Sequence, residues 1–143
     1  MRSLAVYHEK RVQFRVQVEQ PVVLSLLSLP GGLSPPRTTL AATTTDVSER
    51  GIRISFVDRE AIGGHMGLAR RSVHLVPPGS KVQLRIKPPG YWRCFIHVGT
   101  VRWVQQELES PVFVFGVELT DSPAHVMRRW LAYVERARTA RRR

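Results

Sequence analysis

Asp46-Val-Ser-Glu-Arg-Gly51, running on into Ile52-Arg-Ile-Ser-Phe56, is the stretch from which the rest of the chain is read. Its first half has the composition of a turn. Asp and Ser carry short side chains that hold backbone or ligand, and Gly tolerates φ > 0. Its second half alternates Ile52, Ile54 and Phe56 with Arg53 and Ser55, the pattern of a strand with one face buried and one face wet. Upstream, Arg11-Val-Gln-Phe-Arg15 sets two guanidinium groups four residues apart, just ahead of the first apolar run. Each motif alone reads as a strand connector or as solvated arginines. Together they point to a site for phosphate and a base.

Working outward, the chain reads as a series of short strands. Residues 1–9 show no period and are expected to form a loose arm. Arg15 to Leu29 is rich in Val and Leu and reads as one strand, with Pro21 near an edge or a bulge. Pro30-Gly31-Gly32 through Pro35-Pro36 is a loop, and the Thr-rich run Arg37 to Thr45 is a strand that delivers the chain into Asp46. Asp58 to Pro78, with Gly63, Gly64 and Gly67, lacks a period and reads as an insertion with a short helix. Val82, Leu84 and Ile86 alternate with charged and polar residues after Pro77-Pro78-Gly79. A longer strand from Arg93 to Gln105 turns at Glu107–Pro111 into Val112–Leu119, a hairpin. At the end, Ser122-Pro123 supplies a helix N-cap and a first-turn proline. Val126, Met127, Trp130, Leu131 and Val134 are expected to form the apolar face of that helix. Six strands with short connections followed by one helix give a mainly β fold. The expected architecture is a six-stranded antiparallel β-barrel over residues 10–121, with a C-terminal α-helix and basic tail over 122–143 covering one opening.

The size, 143 residues and 16.3 kDa, fits one domain. Cys94 is the only cysteine, so no intrachain disulfide forms, which agrees with a reducing cytoplasmic setting. No stretch approaches the roughly 20 apolar residues needed to span a bilayer, and Met1–Lys10 lacks the apolar core of a secretory signal. The net charge of +11 is large for the length and favours an anionic partner: nucleotide, nucleic acid, acidic lipid or acidic protein. Seven arginines and a single acid lie between Arg128 and Arg143, a run that equally serves as a solvated face.

Enzyme chemistry has no foothold. There is no nucleophile elbow, Walker loop or dinucleotide fingerprint. The Gly63-Gly64-His65-Met66-Gly67 loop reads as a connector before it reads as an anion nest. The five histidines are scattered, and Cys94 and His97, three apart on a strand, point to opposite faces and make a poor metal pair. No metal or redox cofactor is expected.

Arginines pair bidentately with phosphate, bond the O6/N7 edge of guanine and stack on purines. A carboxylate suits the N1–H and N2–H₂ donors of guanine, and a serine hydroxyl gives or takes one bond. A ligand carrying both phosphates and guanines would use the whole set. Arg11-x-x-x-Arg15 followed by Asp46-x-Ser48-x-x-Gly51 resembles the paired signature of PilZ domains, bacterial receptors for cyclic di-GMP. Pro77-Pro78-Gly79 leading into Val82–Ile86, Val101-Arg102-Trp103 and Phe115-Gly116-Val117-Glu118-Leu119 follow in the family's order, so the resemblance covers residues 10–121. It implies that Arg11 and Arg15 grip phosphates and guanine edges from a mobile arm, while Asp46 and Ser48 hold a guanine and Gly51 sets the turn. Lys10 stands where the family's residue influences whether one ligand or a stacked pair is bound. Trp103 either adds an aromatic surface at the barrel mouth or packs in a core or interface. The Asp58–His74 segment is longer than the family pattern. The implied function is a non-enzymatic receptor that changes conformation on binding cyclic di-GMP and regulates motility, polysaccharide production or virulence through a protein partner. The alternatives are a small basic barrel for RNA or single-stranded DNA, and a PilZ-like adaptor with weak ligand binding.

Overall fold

Alternation of apolar and polar residues gives each strand one buried face, and one way for several such strands to hide those faces is to wrap the sheet onto itself. The computed structural model describes residues 15–35, 37–57, 76–107 and 111–141, and shows that solution. The strands are β1 (Val16–Gln17), β2 (Pro21–Ser28), β3 (Thr39–Val47), β4 (Gly51–Val57), β5 (Lys81–Ile86), β6 (Phe95–Gln106) and β7 (Val112–Glu118), followed by helix α1 (Ala124–Arg141). They lie in the order β1-β3-β2-β5-β6-β7-β4, and a further pairing of β3 with β4 closes the last six into an antiparallel barrel. β1 is an extra strand outside the ring, paired only with β3 through Val16↔Val47 and Gln17↔Asp46.

Closure leaves the interior to the inward-facing residues. Leu24, Ile54, Val82, Leu84, Ile86, Val101 and Phe115 are fully buried, one or more from each of five strands. At about 1.5–3 kcal/mol for each large apolar side chain removed from water, this lining is the dominant favourable term for the domain. The β2–β5 and β6–β7 pairings each slip at one point, and β6 bulges between Val101 and Trp103.

The reading of Arg15–Leu29 as one strand needs correction. The chain breaks at 18–20 and restarts at Pro21, whose missing N–H is harmless at a strand's first position. The break is held by Thr44. Gln20 N–H donates to its hydroxyl (3.0 Å), and its own N–H donates to the Gln20 carbonyl (2.8 Å). The Gln20 side-chain amide is buried against the Tyr133 hydroxyl of α1.

α1 sits over the barrel end where β2, β4 and β6 begin and β3, β5 and β7 finish. Val126, Trp130, Tyr133 and Val134 are its buried residues. Leu131, expected on this face, is 40% exposed, and Tyr133 takes the position instead. The helix also starts one residue later than expected. Its first hydrogen bond, from Met127 N–H, ends on the Pro123 carbonyl. The Ser122 hydroxyl, expected as the cap, accepts from Val98 N–H (3.1 Å) and bonds His97 Nδ1 (2.9 Å), tying the connection to β6. Lys10, Arg11, the arm ahead of them, the Gly63–Gly67 loop and the Asp58–His74 insertion lie outside the described residues.

Candidate functional site

The turn between β3 and β4 is built by its own side chains. Val47 and Ile52 are buried cross-strand partners, so Ser48 to Gly51 form the connection and Asp46 and Arg53 face outward as the next pair. Ser48 N–H donates to the Gly51 carbonyl (2.8 Å), Gly51 N–H donates to the Ser48 hydroxyl (3.0 Å), and that hydroxyl lies 3.1 Å from the Gly51 carbonyl, to which it donates. The serine thus fixes the turn and keeps spare acceptor capacity on its oxygen. Gly51 is not among the glycines with positive φ, contrary to the conformational role expected of it. A Cβ here would stand 3.4 Å from both the Ser48 hydroxyl and the Val117 carbonyl, an ordinary contact distance, so the turn lies against β7 without demanding glycine for space.

Asp46 is the centre of the arrangement. Its side chain is 14% exposed; Oδ1 accepts from Arg15 Nη1 at 3.1 Å, and Arg53 Nη1 lies 3.4 Å from Oδ2. The structure therefore brings Arg15, Asp46, Ser48 and Gly51 together on one outer patch of the barrel wall, next to Trp103. Arg53 was not singled out from the sequence. Part of the signal was present, because alternation along β4 puts it on the wet face. Its guanidinium also stands 5.5 Å from the centre of the Trp103 ring, a cation–π distance, while its buried Nε has no hydrogen-bond partner.

Trp103 lies flat on β7 at Gly116. A Cβ on Gly116 would fall 2.2 Å from the indole, so only glycine leaves room for the ring. The bulge in β6 that pairs Trp103 with Gly116 is what turns the indole onto this surface. The resulting hollow, about 440 Å³, is lined by Arg15, Asp46, Ser48, Arg53, Trp103 and Gly116, and also by Arg50, Arg102, Glu49 and Glu118. Arg50 and Arg102 are further cations that sequence reasoning passed over; Arg102 is engaged with Glu118.

The turn is anchored from behind by the helix. Trp130 Nε1–H donates to the Ser48 carbonyl at 2.9 Å, and Leu119 N–H donates to the Arg50 carbonyl at 2.8 Å. The buried Trp130 ring packs edge-on against Phe95 (5.2 Å) and His97 (4.6 Å). Burial of the imidazole, with a contribution from the Arg129 charge, lowers the His97 pKa to about 4, so it is neutral near pH 7. Among the described residues no group of three His, Cys, Asp or Glu side chains is placed to hold a metal, and no helix is long and apolar enough to cross a membrane.

The sequence matches no protein-family model and no curated protein. Solved structures resemble the chain in backbone. The Bacillus subtilis inhibitor of motility (MotI/DgrA) superposes with a TM-score of 0.62 at 18% identity, over 91% of this chain and 52% of that one. Escherichia coli YcgR in complex with c-di-GMP gives 0.58 at 13% identity, over 90% of this chain and 46% of that one. The isolated PilZ domain of the same protein, with c-di-GMP, gives 0.57 at 12% identity and is itself covered to 92%. The chain spans about half the length of the first two proteins and nearly all of the isolated domain. With its closed six-stranded barrel, appended strand and C-terminal helix, the chain has a PilZ-like fold.

Proposed function

We propose that the chain is a cyclic di-GMP receptor that works by binding and conformational change and not by turnover. The observation that carries this reading is the Asp46 carboxylate, bracketed by Arg15 and Arg53 in a hollow floored by Trp103. A guanine edge offers N1–H and N2–H₂ to a carboxylate, and the two guanidinium groups suit phosphate or guanine O6/N7. Two of the solved structures with this fold are described as complexes with c-di-GMP, which supports the choice of ligand.

The ion pair of Arg15 with Asp46 gives the reading a mechanism. A guanine that takes the carboxylate displaces Arg15, whose charge is then free for a phosphate. Arg11 joins it from the same segment, and Lys10 influences whether one ligand or a stacked pair is held, as the resemblance implies. The chain ahead of β1 is thereby rearranged, and the surface offered to a partner changes. Trp103 and Arg53 together supply a stacking face. The output is regulation of a bacterial process such as motility, polysaccharide production or virulence through a protein partner.

Isothermal titration with cyclic di-GMP, GMP and a short RNA at one salt concentration tests it. Cyclic di-GMP binds in preference to both, and Arg15→Ala, Asp46→Ala and Arg53→Ala each weaken it at least tenfold, about 1.4 kcal/mol. Unchanged affinity in the Arg15 and Asp46 variants removes the site; RNA binding that outcompetes cyclic di-GMP removes the function.

A further inference from the structure

A second concave surface lies on the other side of α1, away from Asp46. The connection from β5 to β6 brings Tyr91, Trp92 and Arg93 up against the helix, where Arg129, Ala132, Tyr133 and Arg136 complete a groove of about 450 Å³ with Phe95 at its base. Trp92 is 81% exposed, more than any other large apolar side chain among the described residues. An indole left in water by a chain that buries Trp130 completely is an unusual exposure, and one characteristic of binding surfaces.

The groove is organised, not frayed. Tyr91 packs edge-on against Tyr133 (5.5 Å) and tilts against Phe95 (6.1 Å), and its hydroxyl accepts from Arg136 Nη1 at 3.2 Å. The Arg93 guanidinium stands 4.5 Å from the Trp92 ring centre, and that of Arg129 stands 5.4 Å from Phe95. Three guanidinium groups line it and no carboxylate does. The described acids form their ion pairs elsewhere: Asp46 with Arg15 and Arg53, Asp121 with Lys81, Glu118 with Arg102, Glu135 with Arg138.

We infer that this groove docks an acidic segment of a protein partner, with an apolar side chain seated between Trp92 and Tyr133 and flanking carboxylates paired with Arg129 and Arg136. Trp, Tyr and Arg are the residues that carry most binding energy at protein interfaces, above all when packed into a pre-formed pocket. The volume accommodates one or two side chains. A single-stranded nucleic acid asks for something different, a file of successive aromatic platforms along a basic track. Here one indole is exposed, one of its faces is occupied by Arg93, and the other rings form an apolar floor. The groove stands independently of cyclic di-GMP binding, since none of its residues belongs to the Asp46 hollow.

The test uses the full chain and a fluorescein-labelled synthetic peptide of alternating Asp/Glu with central Leu and Phe, read by anisotropy at 0.15 M salt. Polyglutamate of equal charge and oligouridylate of equal charge are run beside it. The expected result is that the mixed peptide binds at least tenfold more tightly than either comparator. Trp92→Ala and the double variant Arg129→Glu, Arg136→Glu each reduce that binding at least tenfold while circular dichroism melts stay within a few degrees of the parent. Equal binding of polyglutamate, or binding indifferent to Trp92→Ala, reduces the groove to general charge attraction and overturns the proposal. Preferential, Trp92-dependent binding of oligouridylate also overturns it, in favour of a nucleic-acid surface. A mixed peptide that does not bind at all overturns it outright.

Discussion

Gly116 owes its place to the absence of a side chain and not to backbone conformation: it is not among the glycines with positive φ, yet the Trp103 indole occupies the space where a Cβ would be. Gly116→Ala must push the ring off the wall. Because Trp103 is only partly buried, the indole escapes outward, and a modest loss of stability, about 1 kcal/mol, is expected. The emission of Trp103, isolated in a Trp92→Phe, Trp130→Phe background, shifts to the red in the same variant; unmoved emission means the ring does not rest on Gly116. This contact also marks a limit of sequence reading. Asp46, Ser48 and Gly51 were legible as a turn motif, but Asp46 opposite Arg53 depends on β3 running on to Val47 and on a slip in its pairing with β4. Trp103 over Gly116 depends on a one-residue bulge in β6, and nothing in the composition of β6 announces it. The engagement of the Ser48 hydroxyl within its own turn was equally hidden, since a serine in a turn serves backbone or ligand with the same ease.

α1 is the element that joins the two concave surfaces. Its buried side chains, Val126, Trp130, Tyr133 and Val134, keep a spacing of four, three and one, the stripe of an α-helix. Leu131, expected on the face from its spacing of four after Met127, falls off that stripe, which is centred on Val126, Trp130 and Val134. The strands, by contrast, were readable nearly throughout, because a barrel strand has one wet face and writes its alternation plainly. Trp130→Phe separates what the indole does by packing from what it does by donating. The ring contacts with Phe95 and His97 largely persist, and the Ser48 carbonyl loses its donor, at about 1–2 kcal/mol. Hydrogen exchange at the Ser48 and Gly51 amides accelerates in this variant if the helix braces the turn. Exchange unchanged there, with the global stability lowered, would place the whole effect in the core.

For the molecule as a whole, acid is the informative perturbation. His97 takes up a proton near its ordinary 6.5 when unfolded but only at about 4 when folded, because burial disfavours the imidazolium and Arg129 repels it. The unfolded state therefore binds more protons between those values. Stability contributed by the neutral, buried ring is complete above pH 6.5 and is lost as pH falls towards 4, with a slope approaching about 1.4 kcal/mol per pH unit. Urea titrations at half-unit steps show this slope, and His97→Phe flattens it. Asp121 acts lower: its bond and attraction to Lys81 hold its carboxyl below the usual 3.8, so it loses its contribution only at more acid pH. An undiminished slope in His97→Phe would assign the acid sensitivity to other groups.

The hydrogen bond from Trp130 to Ser48 spans 82 residues, and its donor lies in α1, which follows all the described strands. During synthesis the β3–β4 hairpin emerges early, carrying Asp46, Ser48, Gly51 and Arg53. It meets β7 only after Glu118 has left the ribosome and its brace only after Trp130 has. A chain that stops before α1 thus displays every described polar contact proposed for the ligand on a turn that lacks its Trp130 brace. A chain cut short after β7 therefore carries the whole described Asp46 patch but lacks the indole that fixes its turn from behind.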